Sequence, residues 1–321
     1  MKSAARLERS PLRWAKLVVA AIVIALLGSL AWPSLAQLPQ LWQHAPAELV
    51  LVLVLAHLAG RFFASEATRV VLGAQGTLLA RREVIALGFS RELASLMVPR
   101  AGFGMMGLYL WRRHGVRPEA LGGLALALVI GQMGLLGVLG LLAQGALWAT
   151  ASAHASLTVT LVFAVAAIGA LVAARVELPA GRGWLSRLAR RAHDGWRLAF
   201  RHPARRLTLL ALLSSLLAVR ALALGVALAA VGARVDVAGV AAASLLADLS
   251  MLASVTPQGL GIREAAVVYV LDCLQIAPPT ALAGALLQRL AGVLVTVVGA
   301  AVALPWARAA TSRVSPAGSD S

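Results

Sequence analysis

Apolar residues run along this chain in long unbroken stretches, with polar residues gathered between them. Six stretches are long enough to cross a bilayer as helices. They lie at about Ala15–Trp32, Ala47–Ala64, Glu119–Leu142, Ser156–Ala174, Leu207–Val231 and Ala281–Leu304. The apolar positions are continuous and do not alternate, which argues against a β-barrel. The pattern predicts an all-α, polytopic integral membrane protein.

Two further apolar stretches, 84–110 and 237–275, are interrupted in the middle, by "VPRAGFG" at 98–104 and "TPQGLGIRE" at 256–264. Proline removes a helix donor and glycine permits a tight turn. Charge decides how these stretches run. Arginines mark the segments before the first span, around Arg61, Arg69, Arg81 and Arg82, in "WRRHGVRPE" and after the last span. The segments Pro33–Pro46 and "AQGALWATASAHA" carry no lysine or arginine. By the positive-inside rule both termini are inside. Each interrupted stretch then enters and leaves from one side, as a re-entrant hairpin or two spans.

The order of elements therefore repeats with opposite orientation, in halves of about 15–142 and 156–304. The displacement that carries Tyr109 onto Tyr269 also carries Pro118 onto Pro278, Ala125 onto Ala285 and Leu126 onto Leu286. Inverted repeats with broken helices in matching places point to a binding site at the repeat interface. The plain alternative is that both breaks are packing kinks. Around this 15–304 domain, residues 1–14 are expected as a cytoplasmic segment, 175–206 as a basic cytoplasmic loop and 305–321 as a disordered cytoplasmic tail.

Composition agrees. Of 321 residues 60% are hydrophobic and 13% charged, with mean hydropathy +0.85. No soluble domain hides that much apolar surface. The net charge of +16 would suit nucleic acid, but the arginines cluster between apolar stretches, so no nucleic acid is expected. Nine arginines and two acids occupy 175–206. With Trp184 and Trp196 among them, that loop reads as an interfacial amphipathic segment. The first stretch also fits a signal peptide with Ser34-Leu35-Ala36 as a cleavage site; the repeat favours an uncleaved helix. The single cysteine, Cys273, excludes an internal disulfide and a cysteine-rich metal site.

Candidate chemistry concentrates at the second break. A helix starting after Pro257 would present unpaired N–H groups near Gly259 and Gly261, and its terminus attracts anions. Arg263 adds a planar donor set suited to phosphate. Glu264 lies in the first turn, where the helix dipole favours it. Adjacent residues project differently, so each needs its own partner. Arg289 and Arg220 are candidates for Glu264, and Asp248 for an arginine; Asp272 completes three charges of each sign. Direct ligand contact or gating and a structural ion network both fit. At the first break, Pro99, Arg100 and Gly102 hold the matching positions, Arg91 and Glu92 just before them. Arg100 faces phosphate headgroups or snorkels to the interface.

Other motifs fail on context. "GFGMMG" at Gly102–Gly107 has no strand before it. The six histidines show no metal spacing, and His57 reads as packed or hydrogen-bonded. Gly131, Gly134, Gly137 and Gly140 form a strip for close helix packing. No metal, cofactor or catalytic group is implied, and no enzyme is expected.

"TPQGLGIREAAVVYVL" resembles the late signature of the lysylphosphatidylglycerol synthase transmembrane family, a P-G-G-x-G-x-R-E-like stretch leading into an apolar helix. "VPRAGFGMMGLYLWRRHGV" resembles its earlier companion. The basic central loop and Arg289 are similar too, and the likeness covers about residues 10–305. The chain departs at Phe103, where the family usually has an acid, at Gly131-Gln132, where it often has Glu-Arg, and at Gln258, where glycine is common. The resemblance implies a flippase-like domain without a synthase domain. The expected function is translocation of an anionic phospholipid or lipid-linked molecule between leaflets of a bacterial inner (plasma) membrane. Its partners are that lipid and the bilayer. A scaffold recruiting a partner through the basic loop, a small-anion transporter and a homo-oligomer stay open.

Overall fold

A computed structural model of the chain describes residues 45–98, 101–150, 156–176, 184–252 and 256–311. The expected span at Ala15–Trp32, Pro99 and Arg100 lie outside these. Among the described residues there are ten helices and no strand. They are α1 (Ala47–Ala74), α2 (Arg81–Met97), α3 (Ala101–His114), α4 (Pro118–Ala149), α5 (Leu157–Arg175), α6 (Trp184–Arg201), α7 (Pro203–Ala230), α8 (Val237–Ser250), α9 (Ile262–Cys273) and α10 (Pro278–Thr311). Five contain stretches long and apolar enough to cross a membrane: Ala47–Ala74, Glu119–Ala149, Leu157–Arg175, Pro203–Ala230 and Pro278–Ala303.

Helix ends follow local chemistry. α4 and α7 place a proline in the first turn, where its missing donor costs nothing. Ser156 and Asp236 cap α5 and α8 by accepting from the Val159 and Gly239 amides. Three helices run well past the expected ends of their spans, and α4 does so by continuing beyond Leu142 to Ala149. α1 continues past Ala64 to Ala74, because its charges find partners: Arg61 pairs with Glu92 at 3.1 Å, and Glu66 with Arg69 at 2.7 Å and Arg81 at 3.2 Å. α10 continues past Leu304 to Thr311 through the helix formers Ala307, Arg308, Ala309 and Ala310.

The two halves match element by element. α1 and α7 are both 28 residues long, starting at Ala47 and Pro203. Both end in a turn at a left-handed glycine, Gly76 (φ 86°) and Gly232 (φ 80°), separated by the same offset as the two helix starts. α4 and α10, of 32 and 34 residues, start at Pro118 and Pro278, the pair already aligned in the sequence. The turns before them carry Gly115 (φ 63°) and Gln275 (φ 61°), aligned by that same displacement. Between, each half has a helix pair with a short break, α2–α3 and α8–α9. α2 packs on α10 as α8 packs on α4, and α1 packs along α7. Leu53 and Ala56 share a cluster with Ala223 and Ala227. Gly60 faces Leu216, its own counterpart in the other repeat. The two helices thus cross antiparallel, as repeats of opposite orientation require.

The glycine strip on α4 does what its spacing predicts. A Cβ on Gly137 would come within 2.4 Å of the Ala167 amide nitrogen, and one on Gly140 within 2.2 Å of the Phe163 ring, so both seat α5. α6 is helical but not a free interfacial segment. Ala192, Trp196 and Ala199 are buried, and Gly122 and Gly123 of α4 meet Ala192 and Gly195, while Arg197 and Arg201 stay exposed. One apolar face of α6 is thus satisfied by protein.

Candidate functional site

The crossing of α1 and α7 leaves a cavity of about 330 Å³. Its walls come in counterpart pairs. On α1 and α7 they are His57 and Leu213, Gly60 and Leu216, Ala64 and Arg220, Ala67 and Ala223. On the hairpins they are Glu92 and Asp248, then Phe103 and Arg263. On α4 and α10 they are Leu128 and Gln288, Val129 and Arg289, Gln132 and Gly292. The cavity therefore lies where the two repeats meet.

Each repeat contributes one matched ion pair. Arg61 of α1 meets Glu92 of α2 at 3.1 Å, and Arg220 of α7 meets Asp248 of α8 at 3.1 Å. Glu92 and Asp248 hold corresponding positions, related by the offset that carries Ala47 onto Pro203. Glu92 also takes Arg91 at 2.8 Å, and the Arg91 guanidinium lies 5.2 Å from the Phe103 ring centre.

The second break is built around Gln258, Arg263 and Glu264. Pro257–Gly259 form a short 3₁₀ turn, and Gly261 (φ 85°) caps α9. Glu264 turns back to accept from the Gly261 amide at 2.8 Å and pairs with Arg289 of α10. The Gly259 amide bonds to the Thr256 carbonyl at 3.1 Å. This corrects one expectation. The amides at Gly259 and Gly261 are not open to an anion, because the chain's own carboxylate and carbonyl satisfy them. Of the two readings for Glu264, the Arg289 pair belongs to the ion network.

Arg263 points elsewhere. Its guanidinium donates to Gln288 Oε1 at 3.2 Å, and no carboxylate among the described residues lies within ion-pair distance. Gln288, 1% exposed, joins four helices. Its Nε2 donates to the Arg220 carbonyl at 3.0 Å, and its own carbonyl accepts from His57 Nε2 at 2.9 Å. Gly292 makes this possible, since a Cβ there would lie 2.9 Å from the His57 ring. One turn on, Arg61 donates to Thr296 Oγ1 at 2.9 Å, and that hydroxyl donates to the Gly292 carbonyl at 2.8 Å.

Gln258 has φ 46° and ψ 33°, a left-handed conformation that favours glycine. Its side chain explains why glutamine holds the position. Nε2 donates to the carbonyl and to Oε2 of Glu92, both at 3.2 Å, and the Gln258 carbonyl accepts from Arg289 at 3.4 Å. One residue thereby ties the two hairpins together.

Five expected site residues, Arg220, Asp248, Arg263, Glu264 and Arg289, converge here. Gly102 does not line the cavity: a Cβ there would come within 2.0 Å of the Arg91 carbonyl oxygen, so it lets α3 close onto α2. Asp272 is exposed at the far end of α9 and stands apart from the cluster. Sequence reasoning misses Arg61, which reads as a loop marker, and Gln288. The signal is present: His57, Gly60, Arg61 and Ala64 share one helical face, as do Gln288, Gly292 and Thr296. Phe103, Gln132 and Gln258, where the chain departs from the family pattern, all line the cavity.

Five arginines and three carboxylates around one cavity leave an excess of two positive charges, set among helices apolar enough to span a bilayer. Among the described residues no group of side chains suits a metal ion. These features define a helical polytopic membrane protein with paired broken helices around a polar centre. The chain belongs to the family described as the lysylphosphatidylglycerol synthase TM region, whose profile matches residues 13–299. No curated protein and no solved structure matches it.

Proposed function

We propose that the chain moves an anionic phospholipid or lipid-linked molecule between membrane leaflets, with the headgroup in the cavity between the repeats and the tails in the bilayer. One observation carries this: a charged cavity of about 330 Å³ in an apolar protein, in which, among the described residues, Arg263 is held by a neutral glutamine oxygen alone. A charge at bilayer depth costs about 2.5–3.5 kcal/mol even on lenient scales, so a guanidinium kept there with no carboxylate at ion-pair distance suits an anionic visitor. Arg263 would hold the phosphate with its planar donors. Glu264 would act by releasing Arg289 when the hairpin moves. The membrane in question is the cell membrane, with both termini inside, and the chain carries out no covalent chemistry.

Reconstitution into liposomes with a labelled anionic phospholipid tests the reading. Wild type should speed leaflet exchange, and Arg263→Ala should abolish the gain while the protein remains folded. Exchange no faster than in empty liposomes, or full activity in Arg263→Ala, rejects it. A flux assay with inorganic anions on the same vesicles separates lipid movement from small-anion transport.

A further inference from the structure

A second cavity, of about 490 Å³, lies between α1, α2 and α10, and Leu58, Leu294 and Val298 on its walls are exposed. Its walls are almost wholly apolar: Val54 and Leu58 from α1, Ile85 and Phe89 from α2, Leu294 and Val298 from α10. Arg82 stands at one end. We propose that this groove binds one acyl chain of a bilayer lipid, in the leaflet on the Arg82 side. This rests on reading the chain as a lipid-handling protein and adds where a tail would go.

Three observations select an acyl chain. The first is depth. α1 and α10 are both long and apolar enough to span a membrane, so a groove between them lies at hydrocarbon depth. The second is length. From Leu294 to Ala303 the α10 wall rises about 13.5 Å at ~1.5 Å per residue, close to half of a ~30 Å hydrocarbon core. A groove one leaflet long, apolar throughout and ending at a guanidinium, matches a tail below a phosphate headgroup. The third is asymmetry. The offset that pairs Glu92 with Asp248 gives Arg82, Ile85, Ala86 and Phe89 the counterparts Ala238, Ala241, Ala242 and Leu245. Those residues pack into one core with Leu135, Leu139 and Ala143 of α4. Small residues let α8 close onto α4, whereas Ile85 and Phe89 leave space beside α10. Phe89 is seated against Gly299, where a Cβ would come within 2.2 Å of its ring. The groove also shares a seam with the charged cavity. Val54 and Leu58 flank His57 on α1, and Leu294 follows Gly292 and Val293 on α10.

The test uses the full chain in phosphatidylglycerol nanodiscs containing phosphatidylglycerol with a diazirine midway along one acyl chain. After photolysis the label is mapped by mass spectrometry. Label should concentrate on the peptides holding Ile85, Leu294 and Val298, above the exposed α5 residues Leu161, Val165 and Ile168. It should be lost there in Val298→Trp, which fills the groove from a half-exposed position, and in Ile85→Trp, a second variant from the opposite wall. Equal labelling of α5 and the groove, or labelling that survives in both variants, overturns the proposal. So does a photoreactive amino acid at position 298 that cross-links to another part of this chain or to a second copy instead of lipid. Labelling needs no transport. Its loss speaks against the groove alone, whereas failed leaflet exchange with labelling intact speaks against the translocation reading alone.

Discussion

On α2, Glu92 takes Arg61; at the corresponding place on α8, Asp248 takes Arg220. Around these matched pairs the halves diverge. Where the first half presents Leu128, Val129 and Phe103 to the cavity, the second presents Gln288, Arg289 and Arg263. Where the second half closes α8 onto α4 with alanines, the first leaves an apolar groove. The backbone plan is shared because lengths, turns and breaks are set by local chemistry that both halves carry. The side chains at the axis are under no such constraint. A cavity can then be symmetric in outline while the polar groups on its two walls differ in kind and place, and an apolar groove lies beside the first.

Breaking the ion network should have the largest effect. Glu264→Ala removes the Arg289 partner and the Gly261 cap together, and should destabilise the protein by about 3–5 kcal/mol, as for other broken buried pairs. Unfolding in mixed detergent micelles would measure it, and Glu264→Ala with Arg289→Ala should recover part of the loss. The matched pairs offer a sharper contrast. Arg220→Ala strands Asp248, only 5% exposed, and should also cost about 3–5 kcal/mol. Arg61→Ala leaves Glu92 with Arg91 and Gln258 and should cost nearer ~1.5–3 kcal/mol, the range for one charged hydrogen bond. Equal losses would mean that the extra partners in the first half contribute nothing.

Gly137→Val comes next. It gives α4 the residue its counterpart already carries, Val297, which is 46% exposed. On α4 the added carbons meet the α5 backbone, and overpacking should cost about 1–3 kcal/mol; a neutral result would show that α5 is free to shift. The smallest expected effect is at Gln258. Glycine there relieves the left-handed backbone while alanine keeps it, and both lose the tie to Glu92. Gln258→Gly should therefore exceed Gln258→Ala in stability by about 1 kcal/mol. If the two variants unfold alike, backbone conformation is irrelevant at that turn.

Much of the fold was legible because a bilayer imposes simple rules. Length and hydropathy located the five described spans, and breakers located both hairpins. The adjacent Arg263 and Glu264 announced that each needed a separate partner, and those partners proved to be consecutive residues, Gln288 and Arg289. Legibility failed where charge was read only as topology. Arg61 looked like a loop marker because a positive-inside argument counts arginines without asking which face they share. Gln288 carried no charge and so drew no attention. The expectation of open amides at Gly259 and Gly261 failed because capping is a competition between ligand and side chain, and Glu264 stands within reach of the cap, in the first turn of its own helix.

The five described spans, the two breaks and the order of the described elements followed from the chain alone, since each depends on residues near one another and on the cost of leaving backbone polar groups in hydrocarbon. Which charges meet was decided only by packing. Glu92 and Gln258 are 166 positions apart, Arg61 and Thr296 235. No local rule brings such groups together. Their distances are fixed by how closely small residues such as Gly60 and Gly292 let helices approach, and that is a property of the folded whole.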